Sequence, residues 1–339
     1  MNNFRNFSLR EVSFDEGINI IIAKNGSWKT NILEALSLPS APLVESQVEY
    51  LIAKWENNVF VEIVWSSNRI CYSYDREQNK KQYIIGSKTT SKSKVKEYYP
   101  HVISFHPMLM NLLYLSPSER RNFLDEILSM TFPEYKKEIQ NYKKLISSRN
   151  KVLKNISDGK SEVSELDFWD AKYISSCESI YEYRQKIISY FIEHIDSLKK
   201  YFFGKIETIK FLYSTKIDIQ HAAAEIQSYI VKNRNKEILL RKTLRWPHLD
   251  DFDIFIDDIP LIHYASRWEV KSILIWMKLL ERGFIKKYAH KKEIIYLIDD
   301  LMSELDMEHR NLLIEHLQGH QAIVTSIQDI EITWNKIFI

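Results

Sequence analysis

Lys29 and Thr30 stand side by side at the start of a helical pattern, a placing that suits phosphate chemistry. Before them comes Ile18-Asn-Ile-Ile-Ile22, an apolar run with the length and β-branching of a buried strand, and then a short polar loop, Ala23 to Trp28. After them Ile32, Leu33, Ala35 and Leu36 recur at helical spacing. Strand, short loop and Lys-Thr opening a helix form the outline of a nucleotide P-loop. The chemistry needs that outline because successive backbone N–H groups and a helix N-terminus converge on anionic oxygens. In this frame Ala23, Lys24, Asn25, Gly26, Ser27, Trp28 and Asn31 would surround the phosphates. Lys29 would bridge the β- and γ-phosphates, and the Thr30 hydroxyl would hold Mg²⁺.

The pattern asks for glycine at positions 23 and 28. Ala23 is a mild departure, whereas Trp28 is severe: the residue before the lysine packs against the phosphates, where a Cβ is already crowded and an indole should block the site. Taken alone, the loop also fits a chance strand–loop–helix.

The far end of the chain supplies a counterpart. Glu293 to Asp306 reads as a second apolar strand ending in the carboxylates of Asp299 and Asp300. Asp299 would orient a Mg²⁺-bound water and Asp300 would polarise the attacking water, which makes Asp300 and Lys29 the candidate catalytic residues. The plain alternative is a buried strand running into a solvated acidic turn. Ser303-Glu-Leu-Asp306 follows at the distance of a dimer-facing loop. Upstream, Tyr264 to Ser272 precedes an apolar helix, Ile273 to Leu280, so that Ser266, with its neighbours Arg267 and Glu269, could meet a γ-phosphate presented by another subunit.

This order resembles the ABC-type ATPase heads of the SMC proteins and their repair relatives. Within that group the chain is similar to the RecF family of bacterial DNA replication and repair proteins. The resemblance is carried by Asn3-Phe-Arg-Asn6, by Asn25 to Ala35 and by Ser116-Pro-Ser-Glu-Arg-Arg-Asn-Phe-Leu-Asp125. It continues in Arg149 to Lys154, Trp169-Asp170, Thr243 to Asp251 and Asp299 to Asp306. It implies an α/β fold: a P-loop ABC-type ATPase head, with a mixed sheet and an antiparallel β subdomain, interrupted by an inserted α-helical lobe. The expected divisions are 1–107 for the first half of the ATPase core, 108–238 for the insertion and 239–339 for the second half. The resemblance also brings Arg5 to the nucleotide; the residue reads equally as a surface arginine beside a β-turn. No residue matches the family's Gln-loop.

Against the family pattern the tryptophans are informative. Trp28 stands at the P-loop glycine, Trp246 at the glycine of the Thr-x-x-Gly-Pro-His segment and Trp268 at the glycine after the signature serine. Drift would favour Ala, Ser or Asn at such places. The chain has 7 glycines and 8 tryptophans, whereas average usage would put glycine at about 7%. These positions are expected to be UGA codons of a lineage that reads UGA as glycine. Trp55, Trp65, Trp276 and Trp334 are further candidates, while Trp169 matches a family tryptophan.

The composition, 45% hydrophobic and 27% charged with a net charge of +2, is that of a soluble globular protein, so any nucleic-acid contact must come from local patches. No apolar run approaches the roughly 20 residues that span a bilayer, and the N-terminus is not a secretory signal. Cys71 and Cys177 are far apart with no metal-like spacing, which predicts free thiols in a reducing cytoplasm. The chain begins closer to the Asn-Phe-Arg-Asn segment than the family does, so its first strand is expected to be either clipped by a misplaced start or simply shortened.

Phe4 to Glu16 reads as strand, turn and strand. Val59–Val64 and Arg69–Tyr74 alternate as antiparallel strands, Val102–Phe105 is expected to return to that sheet, and Pro107 to close it. Seven basic residues between Arg76 and Lys96 form either a solvated hairpin or a phosphate-tracking patch. A helix is predicted to open at Pro117 behind a serine cap, and others over Tyr135–Leu153 and Phe168–Lys200. The polar face of Tyr135–Leu153 and the residue after it carry Lys136, Lys137, Lys143, Lys144, Arg149, Lys151 and Lys154, either solvated or, given the resemblance, against a DNA backbone. Phe252–Ile256 and Ile259–Ile262 look like a hairpin around Asp257-Asp258, and His248 reads as a structural histidine or as a ligand or base. Ala322–Thr325 is a buried strand, and Ile330–Ile339 closes the sheet.

The function that the resemblance implies is a slow DNA-dependent ATPase. ATP and Mg²⁺ would close a head-to-tail homodimer over DNA at gaps and single-strand/double-strand junctions. RecO and RecR would be its partners in loading recombinase during replication, repair and the SOS response in the cytoplasm. Two other readings stay open: an ATPase-dead DNA-binding relative whose tryptophans are genuine, and an SMC-like ATPase of another DNA-processing system.

Overall fold

A computed structural model of the chain describes residues 1–24, 28–40, 48–106, 109, 111–114, 116–202, 206–244, 247–264, 266–289, 293–328 and 334–338. Its first segment carries strands β1 (Asn2–Phe4), β2 (Phe7–Leu9) and β3 (Ile18–Ile22), helix α1 (Lys29–Ser37), and strands β4 (Asn58–Trp65), β5 (Asn68–Asp75), β6 (Lys80–Ile85) and β7 (Lys88–Thr90). Helix α2 (Lys92–Tyr98) and β8 (His101–Phe105) complete it. The middle segment holds helices α3 (Pro117–Thr131), α4 (Pro133–Ser157) and α5 (Glu165–His194), then β9 (Ile209–Ser214) and α6 (Ala222–Leu240). It ends with β10 (Asp251–Ile256), β11 (Ile259–Pro260) and α7 (Arg267–Tyr288). The last segment contributes β12 (Ile294–Ile298), α8 (Met307–Leu317), β13 (Gln321–Ser326) and β14 (Asn335–Phe338).

Contacts group these segments into two compact units, 1–109 with 291–339, and 110–290. The break near residue 109 lies close to the division expected after 107. Residues 239–290, assigned from sequence to the ATPase core, instead make their contacts within the helical unit, because β10 pairs with β9 over six residue pairs and α7 packs on α3 and α5.

In the first unit the parallel and antiparallel strands are sorted into separate sheets. Five parallel strands run in the order β14-β3-β13-β12-β8, and six antiparallel strands in the order β2-β1-β4-β5-β6-β7. The sequence patterns account for the sorting. The strands β3, β12 and β13 are near-continuous apolar runs buried on both faces, as interior parallel strands require, whereas β4 alternates between exposed and buried positions along its first half. Val102–Phe105 therefore joins the parallel sheet as β8, paired with β12, and not the antiparallel sheet as expected. Pro107 lies outside the described residues. Between the sheets Phe4, Ile32, Val59, Tyr72, Leu297 and Ile323 share one core.

The second unit is built on α4 and α5, 25 and 30 residues long, the longer spanning about 45 Å at 1.5 Å per residue. That is a compact lobe and no rod. Helix α5 packs against α4 and α6, and an added Cβ at Gly283 on α7 would collide with the Tyr190 hydroxyl on α5. The hairpin β10–β11 turns at Asp257 and Asp258 with φ of 48° and 63°, as its Asp-Asp tip suggested, although Leu261–Tyr264 is helical and not strand.

Candidate functional site

The topology of the parallel sheet brings the two ends of the chain together. Strand β13 lies between β3 and β12, so the loop leaving β3 and the acidic pair leaving β12 emerge at neighbouring carboxyl ends, where open α/β sheets bind their ligands. Helix α1 begins at Lys29, as its sequence predicts, and buries Lys29, Ile32, Leu33 and Ala35. The Lys29 ammonium donates to the Ala23 carbonyl at 2.9 Å and to Asp300 Oδ1 at 3.2 Å. The Thr30 hydroxyl donates to Asp299 Oδ2 at 2.9 Å, across 269 residues of sequence.

A third hydroxyl, absent from the sequence reading, completes the arrangement. Thr325 on β13 is fully buried; its Oγ1 donates to Asp299 Oδ1 at 2.8 Å and accepts the Asp300 N–H at 2.9 Å. Asp300 sits in the left-handed region with φ 49°. No motif spacing pointed to Thr325. Its place in a buried run, two residues after Ile323, the register partner of Leu297 on β12, was the available signal.

The remaining candidates divide. Asn25, Gly26 and Ser27 lie outside the described residues, as do Arg245 and Trp246. Lys24 is exposed, and Asn31 is half-buried on α1. Trp28 caps α1 with no side-chain cap; its ring is 41% exposed and packs edge-on to Phe7 with centroids 5.1 Å apart. Arg5, in the β1–β2 turn with φ 54°, forms a two-bond ion pair with Glu34 on α1, with Nε to Oε2 at 2.8 Å and Nη2 to Oε1 at 2.5 Å. Ser266 caps α7 in a capping box: its N–H donates to Glu269 Oε2 at 2.7 Å and its hydroxyl accepts from the Glu269 N–H at 3.4 Å. Asp306 likewise caps α8, accepting from the His309 N–H at 2.9 Å. The side chains of Arg267, Trp268 and Ser303 are not among those described.

On α4 the lysines 136, 143, 144 and 151 are exposed, but Arg149 is not a surface residue. It is fully buried, with Nε on Asp170 Oδ1 at 2.8 Å, Nη2 on Glu237 Oε2 at 2.6 Å and Nη1 on Thr243 Oγ1 at 2.8 Å. Its assignment to a DNA-binding face is corrected: helical spacing turns position 149 toward α5 and α6, where two carboxylates saturate it. His248 is structural in its contacts, its Nδ1 2.8 Å from the Tyr142 hydroxyl. Burial, with Arg121 and Arg184 nearby, pulls its pKa down to about 4. Both cysteines are free and buried, and burial together with Glu62 pushes the Cys71 thiol up to about 11.

The donor set around Thr30 and Asp299, a hydroxyl and a carboxylate in contact, is the hard-oxygen chemistry of Mg²⁺, which takes few protein ligands and completes its shell with phosphate and water. Among the described residues no cluster of three or more His, Cys, Asp or Glu side chains could hold a metal by itself, and no helix is long and apolar enough to cross a membrane.

The chain resembles known proteins over nearly all of its length. Residues 1–39 match the AAA domain family. The chain is 31% identical over 342 residues to the DNA replication and repair protein RecF of Thermoanaerobacter sp. (strain X514), covering 96% of this chain and 92% of the relative. It is 27% identical over 350 residues to that of Acetivibrio thermocellus, covering 100% and 94%. The fold is that of the solved structures of the recombination mediator protein RecF in the RecFOR pathway, RecF-ATPrS and RecF-ATP. The TM-scores are 0.83 and 0.81 at 21% and 22% identity, covering 100% and 98% of this chain and 94% and 91% of those chains.

Proposed function

From the premise that this chain belongs to the RecF family of DNA replication and repair proteins, we propose that it is an ATP-dependent DNA clamp whose nucleotide cradle is formed by Lys29, Thr30, Asp299 and Asp300. The observation that carries the reading is the contact of Thr30 with Asp299 and of Lys29 with Asp300, at 2.9 and 3.2 Å, between residues from opposite ends of the sequence. Lys29 exchanges the Ala23 carbonyl and Asp300 for phosphate oxygens, and Asp300, 29% exposed, accepts a hydrogen bond from the attacking water. Thr30 and Asp299 would hold Mg²⁺, which when bound neutralises charge on the transferring phosphoryl group. In the closed homodimer Ser266 and the start of α7 from a second subunit face the γ-phosphate, with Ser303 and Asp306 at the subunit boundary. The Glu269 carboxylate now bonded to Ser266 must then turn away from an anion.

DNA contact falls to α4. At about 100° per residue, positions 136, 137, 143, 144, 151 and 154 fall within roughly a third of the helix circumference and extend along about 27 Å of it. All six are exposed lysines, a stripe suited to a phosphate backbone. Turnover is slow, as in a timed clamp. The role is loading recombinase at gapped DNA in the cytoplasm, with RecO and RecR, during replication, repair and the SOS response.

The gene is read as encoding glycine at positions 28, 246 and 268, where the sequence has tryptophan. Trp55 supports this independently: it is 89% exposed with φ 75°, inside the 61° to 88° range of the chain's positive-φ glycines, where a bulky residue is an outlier. Trp65 and Trp276 behave as real indoles, their N–H groups donating to Glu293 at 2.7 Å and Ser197 at 3.0 Å. Reading the codons tests this, and UGG at 28, 246 and 268 would refute it, leaving an ATPase-dead DNA-binding protein as the reading of this chain. The clamp is tested with Trp28→Gly, Trp246→Gly and Trp268→Gly combined, with and without Lys29→Ala. ATP-dependent dimerisation and DNA retention are expected only with Lys29 intact; equal retention without nucleotide would refute the clamp.

A further inference from the structure

Asp299 and Asp300 are the two residues that follow strand β12, and a continued strand would point their side chains to opposite faces. Yet both carboxylates reach the start of α1, Asp299 at Thr30 and Asp300 at Lys29. The alternation is broken at Asp300, whose φ of 49° turns the chain into the left-handed region that a non-glycine residue enters at a cost. One group holds both halves of that break. The Thr325 hydroxyl accepts the Asp300 N–H at 2.9 Å and spends its proton on Asp299 Oδ1 at 2.8 Å. That second bond leaves Oδ2 to face Thr30. Thr325 is itself immovable, fully buried on β13 with its strand paired to β3 at Ile21.

We propose that Thr325 is a positioning residue that divides the labour of the two aspartates: it fixes which oxygen of Asp299 meets the divalent cation and turns Asp300 toward Lys29 and the reacting water. The assignment rests on the nucleotide reading given above. It follows from the chemistry of one hydroxyl that both donates and accepts, so a methyl in its place removes both bonds while keeping the side chain's shape.

The test compares Thr325→Val and Thr325→Ser in the full chain with glycine at 28, 246 and 268. Each is loaded with a non-hydrolysable ATP analogue and titrated with Mn²⁺ by electron paramagnetic resonance, with the folded fraction measured in parallel. Thr325→Val is expected to weaken Mn²⁺ binding per folded chain about 10- to 100-fold, the usual effect of losing a partner that orients a metal ligand. Analogue affinity in EDTA should stay within about threefold, and Thr325→Ser should bind Mn²⁺ within about threefold of the parent because it keeps the hydroxyl. Turnover of ATP should fall with the Mn²⁺ affinity in the valine variant alone. If Thr325→Val binds Mn²⁺ like the parent, or Thr325→Ser is as impaired as Thr325→Val, the assignment is wrong while the nucleotide site stands. A parent chain that binds no analogue would overturn the nucleotide reading, and this assignment with it.

Discussion

Two clusters of charge in this molecule are built in opposite ways. In the first unit, Lys29 is buried but meets Asp300 across 3.2 Å, Asp300 is 29% exposed, and Thr30 beside it faces solvent. In the second unit, Arg149 and Glu237 are wholly buried and Asp170 nearly so. Every nitrogen of the Arg149 guanidinium has a partner at 2.6 to 2.8 Å, and Glu237 Oε1 takes the Leu244 N–H as well. The helical cluster is saturated by its own chain, because desolvated charges are tolerable only when every lone pair and proton is used. The cluster at the carboxyl end of the parallel sheet stays partly open to solvent, as a site that exchanges its internal partners for a ligand must.

The largest test of this contrast is Arg149→Met. Removing one member of a buried ionic network leaves Asp170 and Glu237 undercompensated and should lower unfolding free energy by about 3–5 kcal/mol. Urea denaturation reads the loss, while nucleotide affinity per folded chain should not move. Lys29→Ala should do the reverse. Taking away the charge-assisted bonds to phosphate should weaken ATP binding about 100-fold, with unfolding free energy within about 1 kcal/mol of the parent. If either variant produced the other's phenotype, the distinction between a saturated and an open cluster would collapse.

The contrast also separates what sequence could convey from what it could not. The strand at Ile18–Ile22, the helix starting at Lys29, the strand before Asp299 and the buried strand near Thr325 were legible because apolar runs and β-branching act locally. The motifs around Arg120, Arg149, Thr243 and Asp251 were visible as motifs, but their meaning was not. Arg120 grips Asp251 with two bonds, at 2.7 and 2.6 Å, and Arg149 reaches Thr243, so these segments fasten the helical unit. A charged residue at helical spacing looks alike whether it faces water or two carboxylates brought in from residues 170 and 237. Thr325 escaped notice for a related reason, since only strand order places its hydroxyl between the aspartates.

His248 extends the comparison to pH. Its pKa is held at about 4 against an ordinary 6.5, by burial first and then by Arg121 and Arg184. The unfolded chain therefore binds a proton below about pH 6.5 that the folded chain refuses until about pH 4. Stability from this group is complete above pH 6.5 and is lost as pH falls through that window, by about 3 kcal/mol in all. His248→Asn should flatten that part of the urea-stability profile between pH 7.5 and 5, and an unchanged slope would mean that the imidazole is not shielded as its contacts indicate.

Trp55 tests the backbone where no charge is involved. With φ 75° and 89% exposure, its side chain has little packing to lose. Trp55→Gly should therefore raise unfolding free energy by about 1 kcal/mol, the cost of a left-handed non-glycine residue. A loss of stability would show that the Lys54 ammonium over its ring, 5.2 Å from the centroid, contributes more than the backbone strain.

The smallest effect is expected at Arg5, which lies between the two kinds of cluster. Its pair with Glu34 is bidentate yet about 30% exposed on both sides, so solvent screens it. Glu34→Gln should cost only about 0.2–1 kcal/mol of stability. Its consequence for ligand binding is the more telling measurement. An arginine whose whole task is to tether the β1–β2 turn to α1 leaves ATP affinity unchanged when Glu34 is neutralised, and Arg5→Ala then changes nothing further. An arginine that also serves the nucleotide behaves differently: Glu34→Gln frees it and tightens ATP binding, whereas Arg5→Ala weakens it. Opposite signs from the two partners of one ion pair would move Arg5 into the open cluster, and matching null results would leave it with the closed one.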